Sequence, residues 1–458
     1  MRLTPGDMFN PITLIKRINS ARSRPGSLGA ALVKGVVGTA GIKIAHAAIA
    51  FATSIVLAKL LGPSGYGIFS YVIALVAFLT MPSELGIPSL AVREIAVANA
   101  RKDWGHMRGY IVWSHRTVAL TSGTLIVIGA IVLIVYGERL SPTKLTCMWL
   151  GLILVPVLSF GSLRDAMLRG LRKVLLGQLS QPIIRPLILL CALLLLWQLG
   201  VALDSPVRVM ALHIMSVALA FLCGLFLFLK NKPSELRGAE PRFKSAIWLK
   251  SSIPFGMTAA LQLINGRTDI LTLGFFHADA DVGIYRVSVQ LAAVVVFAMQ
   301  AVNAIQGPHI AHLYANGDMQ KLQTMITRTA QVMLMFAVPV VIVIVLFGEF
   351  IITTVFGPEY ERAYIPLVIL CAGQLVNAAM GSVGSLLNMT GHERDTTTSV
   401  LVGAIVNVVL NLSLVPKWGI TGAAIATSAT LIVWNLIMWH KVRRRIGIEP
   451  SPLFRHRK

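Results

Sequence analysis

Long apolar windows follow one another along the whole chain, separated by short polar breaks. A helix that crosses a bilayer needs about 20 mostly apolar residues. Twelve such windows are placed, at 35–61, 68–92, 109–136, 145–163, 174–200, 209–229, 251–276, 283–308, 329–348, 363–389, 396–416 and 419–440. Runs such as Leu187–Trp197 are apolar on every side. Strands of a membrane barrel would instead alternate polar and apolar residues. Helices satisfy their own backbone groups in lipid, so the pattern predicts an all-α polytopic membrane protein.

Composition narrows this further. The chain is 55% hydrophobic and 13% charged, with a mean hydropathy of +0.74. Soluble domains carry about 25% charged residues, so a water-soluble enzyme is excluded, as is disorder. The net charge of +22 and pI near 10.4 would suit a nucleic-acid binder, but little polar surface is left to carry a basic patch. The charge is explained by where it falls. If the helices alternate, both tails and the even-numbered loops hold 30 Lys and Arg residues. The opposite loops hold 5: Arg139, Lys144, Arg208, Arg362 and Lys417. Cytoplasmic loops are the basic ones, so both termini are expected in the cytoplasm.

The first 34 residues lack the apolar core of a cleavable signal. Met8, Phe9, Ile12, Ile15 and Ile18 beside Lys16 and Arg17 suggest either a helix lying on the inner leaflet or a plain basic tail. Residues 230–250 form the longest cytoplasmic linker and divide the windows six and six. The expected organisation is a basic tail over 1–34, bundles over 35–229 and 251–440, the linker between them, and a basic tail over 441–458. In the second tail, Arg443, Arg444, Arg445 and Arg455–Lys458 are expected to meet anionic lipid.

The halves also repeat weakly. Gly67-Ile68-Phe69 is matched by Gly283-Ile284-Tyr285, 216 residues later. Leu168-Arg169-Gly170 is matched by Met389-Thr390-Gly391, 221 residues later. Both pairs fall at corresponding points and on the same side, which predicts parallel six-helix repeats, a plan used by transporters.

These residues carry a family likeness. Leu57-Ala58-Lys59-Leu60-Leu61-Gly62-Pro63 with Gly65-Tyr66-Gly67 resembles the first outer loop of polysaccharide transporters. Glu84-Leu85-Gly86-Ile87 and Val92-Arg93-Glu94-Ile95-Ala96 are similar to their second helix. Asp269 followed by Gly283-Ile284-Tyr285 resembles the start of their second bundle. Asn407, Asn411 and Pro416–Thr427 resemble their last two helices. The likeness is to the oligosaccharide flippase branch of the multidrug/oligosaccharidyl-lipid/polysaccharide exporter superfamily, over about residues 30–440. Many members have fourteen helices, so an accessory pair is absent from the twelve windows. The resemblance implies two six-helix bundles around a central cavity, and movement of lipid-linked sugars between leaflets by alternating access, without direct use of ATP. No GxxxxGK[ST] motif occurs.

Charges inside the windows are the candidate chemistry. Six are basic (Lys43, Lys59, Arg116, Arg185, Arg267, Arg286) and two acidic (Glu84, Asp269). Such groups usually face a bundle interior or a wet cavity. Lys59 and Arg286 lie close enough to the outer interface to snorkel. Arg116, beside Ser114, His115 and Thr117, marks a cavity wall or a helix extending below the bilayer. Arg185 is the deepest, roughly 16 Å into its window at 1.5 Å per residue, between Pro182 and Pro186, which predict a kink. Lys43 and His46 can share a helical face. Glu84, between Pro82 and Pro88, balances Lys43 or Arg185 or joins in proton coupling. Arg267 and Asp269 stand two apart and point to different faces; Asp269 is either a proton or sodium site or a partner for Arg286 or Lys43. The resulting net positive cavity suits a pyrophosphate headgroup. Lys43, His46, Arg116, Arg185 and Arg267 are therefore the expected substrate contacts, and Glu84 and Asp269 the coupling or charge-balancing groups.

The function expected is a flippase for a polyprenyl pyrophosphate-linked oligosaccharide in surface polysaccharide synthesis (exopolysaccharide or O-antigen), in a bacterial inner membrane. Its expected partners are the substrate, membrane lipids, and polymerase and export proteins, with no nucleic acid. Two alternatives stand beside it. A cation-coupled multidrug extruder would not want a positive cavity. A membrane polymerase or ligase would need reactive outer loops, and the acids there form no motif. Cys147, Cys191, Cys223 and Cys371 are scattered singly and read as core residues. No cofactor, metal or catalytic group is expected.

Overall fold

The computed structural model describes residues 28–452. The amphipathic stretch Met8–Ile18 and the basic residues Arg455–Lys458 therefore lie outside the described residues. Among the described residues every regular element is helical. The α-helices in chain order are α1 (Leu28–Glu84), α2 (Ile87–Arg101), α3 (Trp104–Tyr136), α4 (Pro142–Gly170), α5 (Arg185–Gln198), α6 (Pro206–Asn231), α7 (Ser245–Phe276), α8 (Asp279–Ala315), α9 (Met319–Val355), α10 (Tyr364–Met380), α11 (Val383–Met389) and α12 (Glu393–Ile446).

Eight described stretches are long and apolar enough to cross a membrane, so the protein is a multi-pass membrane protein. Two of these run too far for one crossing: Gly41–Glu84 has 44 residues and Glu393–Ile446 has 54. At 1.5 Å per residue the longer would reach about 80 Å, against a hydrocarbon core of about 30 Å. Each breaks at a glycine with positive φ, Gly62 (φ 62) and Gly419 (φ 53). There the chain doubles back. In α12, Asn407 Nδ2 reaches Thr430 Oγ1 at 3.4 Å and Gly403 abuts Trp434. In α1, Ser54 and Tyr66 hydroxyls meet at 2.6 Å.

Several expected boundaries move. The window 68–92 runs across a break: α1 stops at Glu84, and Leu85 (φ 48) and Gly86 (φ 73) are left-handed before α2 begins. The window 145–163 falls short, because α4 continues to Gly170 and carries Arg164 and Asp165, which lie between two windows, into the buried interior. The window 174–200 begins ahead of its α-helix. Its first residues form a 3-10 turn at Leu176–Gln178 and a π-helical turn at Ser180–Ile184 ahead of α5. Arg185 is thus one turn into the continuous helical run, nearer its start than the window implied.

Three buried apolar clusters organise the interior. The largest draws on both chain halves, joining Leu57–Val76, Cys147–Val155 and Leu189–Val217 to Ile270–Met299, Met333–Leu370 and Val415–Ala424. The second belongs to the first half and its linker, from Ile87 and Tyr110 through Leu163 to Leu236 and Trp248. The third belongs to the second half, from Ile310 and Ile326 through Leu386 to Val442. One end of the molecule, termed distal here, therefore shares a single core. The proximal end, nearer the described chain ends, has two separate cores.

The linker is not a loose tether. Arg242 donates its backbone N–H to Gly105 O at 3.0 Å and pairs with Asp103. Arg108 Nη1 donates to the carbonyls of Arg237 and Ala239 at 3.0 and 2.7 Å. Trp248, in the first turn of α7, is buried against Tyr110 and Trp113 of α3.

Candidate functional site

The in-window charges separate by whether they have a partner. Lys43 and Arg116 are exposed, and Arg185, Arg267 and Arg286 are half-buried. Among the described residues none of these, nor Lys59, has a carboxylate within 4 Å. His46 donates from Nδ1 to Pro182 O at 2.7 Å. That bond ties the Lys43 region of α1 to the π-helical turn preceding Arg185. Pro182 and Pro186 explain the turn, because proline cannot donate the i→i−4 bond and its ring displaces the carbonyl one turn back. Arg185 lies within electrostatic reach of Asp165 and of His213 on α6. Arg116 stands apart on α3, where its neighbour His115 donates to Ile111 O at 2.8 Å and stacks on Phe160.

The acids sit differently. Glu84 lies beside the Ser162 hydroxyl and near Arg169, and no ion pair joins it to Lys43 or Arg185. Asp269 is 5% exposed. It accepts from Tyr285 Oη at 2.8 Å, from the Ile270 N–H at 2.8 Å and from Thr427 Oγ1 at 3.4 Å. Arg267 and Arg286 are in its electrostatic neighbourhood without forming a bridge. The structure thus puts Arg267 and Arg286 in the electrostatic neighbourhood of Asp269 in the second half, and in the first ties His46 to the turn just before Arg185, with no contact between Lys43 and Arg185.

Three features of this arrangement were not read from sequence. Arg164 bonds Asp165 at 2.8 Å and donates to Phe221 O at 2.5 Å, and Ser180 donates to the same carboxylate at 3.0 Å. Tyr285 and Thr427 complete the Asp269 site. The third is a clasp at the distal end. Lys144, placed above in an outer loop, is 7% exposed, with Nζ 2.6 Å from Asp279 Oδ1 and over the Tyr71 ring. Lys144–Asp279 joins the two chain halves. The other described bridges lie within one half or tie the linker to the first. Tyr360 Oη donates to Ala58 O at 2.9 Å. Between α1 and α8 the backbones nearly touch: a Cβ on Gly67 would lie 1.7 Å from Asp279 O, and one on Gly283 2.1 Å from Pro63 O. The repeated Gly67 and Gly283 of the sequence therefore meet each other's strands of chain across the clasp.

The family described as "Polysaccharide biosynthesis protein" matches residues 32–305. The "Probable flippase AglR" of Haloferax volcanii is 25% identical over 400 residues, 85% of this chain and 79% of that protein. The "Probable low-salt glycan biosynthesis flippase Agl15" of the same organism is 22% identical over 214 residues. That alignment spans 46% of this chain and 45% of Agl15, so less than half of that relative's length is matched. Both are archaeal, which lends nothing to the expectation of a bacterial membrane. An inward-facing multidrug resistance MATE family transporter of the MOP superfamily superposes with a TM-score of 0.70 at 14% identity, over 88% of this chain and 94% of that one. The lipid II flippase MurJ, in an inward closed conformation, gives 0.69 at 14% identity over 88% and 86%. At that identity the likeness is one of fold. With the family matched over more than half its length, the chain belongs to the polysaccharide biosynthesis protein family and has the fold of MOP-superfamily transporters.

Proposed function

We propose that the protein is a flippase that moves a polyprenyl pyrophosphate-linked oligosaccharide from the inner to the outer leaflet by alternating access. The observation that carries this is the set of cations inside the spans with no anionic partner. A charge in a membrane interior is costly unless compensated. Arg164 and Lys144 are ion-paired with Asp165 and Asp279; Lys43, Arg185, Arg267 and Arg286 form no ion pair, and only the more distant fields of Asp165 and Asp269 reach the three arginines. A pyrophosphate would supply the missing charge, and guanidinium groups can donate two bonds at once to its oxygens. Twelve crossings follow if α1 and α12 each count twice and α10 with α11 count once, leaving α2 as an extension on the proximal side. Two six-helix bundles then face a central cavity, with both termini in the cytoplasm. The clasped distal end and the separate proximal cores fit a state that faces the cytoplasm, as does the inward-facing MATE neighbour.

Asp269 is the group proposed for coupling to a proton or sodium gradient, held in the second bundle by Tyr285 and Thr427. The multidrug transporter superposes as well as the glycan flippase does. The choice rests on the family match, the flippase relatives and the sign of the unpaired charge. The test is Arg185→Ala, which should insert normally yet fail to deliver lipid-linked sugar to the outer leaflet. Full transfer by that variant removes Arg185 from the mechanism.

A further inference from the structure

A cavity of about 620 Å³ opens on the distal end of the second half, clear of the unpaired cations. Three turns build it. The first turn of α8 brings Asp281; the 3-10 turn Pro358–Ala363 brings Glu361 and Arg362; the break at Gly419 brings Lys417 and Trp418. Glu349 from the end of α9 closes the lining. The shape is held from within. His277 donates from Nε2 to Val415 O at 2.7 Å, which pins the α12 break, and Arg362 bridges Asp281 at 3.1 Å. Tyr364 donates to Val345 O at 2.7 Å.

Its chemistry is the reverse of the unpaired-cation set. Three carboxylates face two cations, so it repels a pyrophosphate. Carboxylates and cations together can accept from and donate to hydroxyl groups, while Trp418, 57% exposed, offers an aromatic face for the C–H side of a sugar ring. The volume lies within the roughly 300–1,000 Å³ range of small-ligand sites. Asp281 is also two residues from Asp279, the clasp residue, so a ligand here sits against the contact that must part when the distal end opens.

We infer that this cavity is a binding site for an uncharged saccharide, receiving the glycan part of the cargo at the outer face and separate from the place where the lipid phosphate is held. The inference rests on the flippase reading for its cargo, but its test does not. The full-length protein in nanodiscs is titrated with lipid-free maltotriose, chitotriose and trigalacturonate, with saturation-transfer NMR and calorimetry as readouts. A neutral trisaccharide should bind saturably and the anionic one at least tenfold more weakly. Trp418→Leu and Glu361→Gln, both at exposed positions, should each weaken binding at least tenfold, and inorganic pyrophosphate should not compete. Absence of saturable binding, equal affinity for trigalacturonate, displacement by pyrophosphate, or full binding by both variants overturns the site. Leaflet transfer without titration sinks the cavity alone; titration without leaflet transfer sinks the flippase alone.

Discussion

Arg164 and Arg185 are both drawn into the interior of the first half, yet only one is neutralised locally. Arg164 has Asp165 at 2.8 Å and a carbonyl at 2.5 Å; Arg185 has no carboxylate within 4 Å. Removing the partner of a buried pair costs about 3–5 kcal/mol, so Asp165→Asn should lower thermal stability and expression. Arg185→Ala should leave both near the parent level and remove transport instead. At Asp269, replacement by Asn keeps the size and the hydrogen-bonding neighbours Tyr285 and Thr427 while abolishing the titrating charge. Gradient dependence of transport in vesicles should weaken; unchanged dependence excludes the residue as the coupling site. A charge in an apolar run is conspicuous in sequence, and this is why Lys43, Arg185, Arg267 and Asp269 could be picked out. What could not be read was the company they keep. Tyr285 and Thr427 come from elements distant in the chain, and Arg164 lay just past the apparent end of a window.

At the scale of elements, the contact between α1 and α8 sets the distal clasp. A methyl group on Gly67 would meet the Asp279 carbonyl at 1.7 Å, and backbone on both sides leaves it nowhere to go. Overpacking of this kind costs about 1–3 kcal/mol, a roughly 5–150-fold shift in a two-state balance. Gly67→Ala should therefore favour the state in which the clasp is parted. A cysteine replacing buried Ser54 beneath the clasp, with Cys191 and Cys223 changed to Ser, should then be labelled faster by a membrane-impermeant thiol reagent. Unchanged labelling would deny the clasp a gating role. The linker makes a second element-scale prediction. The His106 N–H bonded to Asp103 at 3.0 Å, with Arg242 opposite, holds the Asp103 carboxyl below the usual aspartate range. A depressed value means that the contribution is fully present above the ordinary 3.8 and disappears as pH falls through the lower folded value. Exchange protection of the Arg242 amide should stay flat through neutral and mildly acid pH and fall only in strong acid. Asp103→Asn should reduce it at neutral pH.

For the whole molecule, each of the eight described stretches long and apolar enough to cross a membrane overlaps an apolar window, because burial in lipid is a property of composition over about 20 residues. Hydropathy did not see backbone direction. The left-handed Leu85 and Gly86 break a stretch that is apolar on both sides, and the π-helical turn at Ser180–Ile184 shortens another from its start. Nor does hydropathy say which ends touch. One core shared at the distal end and two at the proximal end is a tertiary fact, and it is the one that suggests a conformational state. The repeated Gly67 and Gly283 were legible as a repeat, but their mutual contact across the clasp was not. The central claim is that the unpaired positive charge serves an anionic lipid-linked glycan. Its most direct measurement is leaflet transfer of a polyprenyl pyrophosphate-linked oligosaccharide in liposomes containing the purified protein, with Arg185→Ala in parallel. Transfer by the parent and its loss in the variant are predicted. Equal transfer by both, or none by a well-folded parent across a panel of such lipids, would contradict the account.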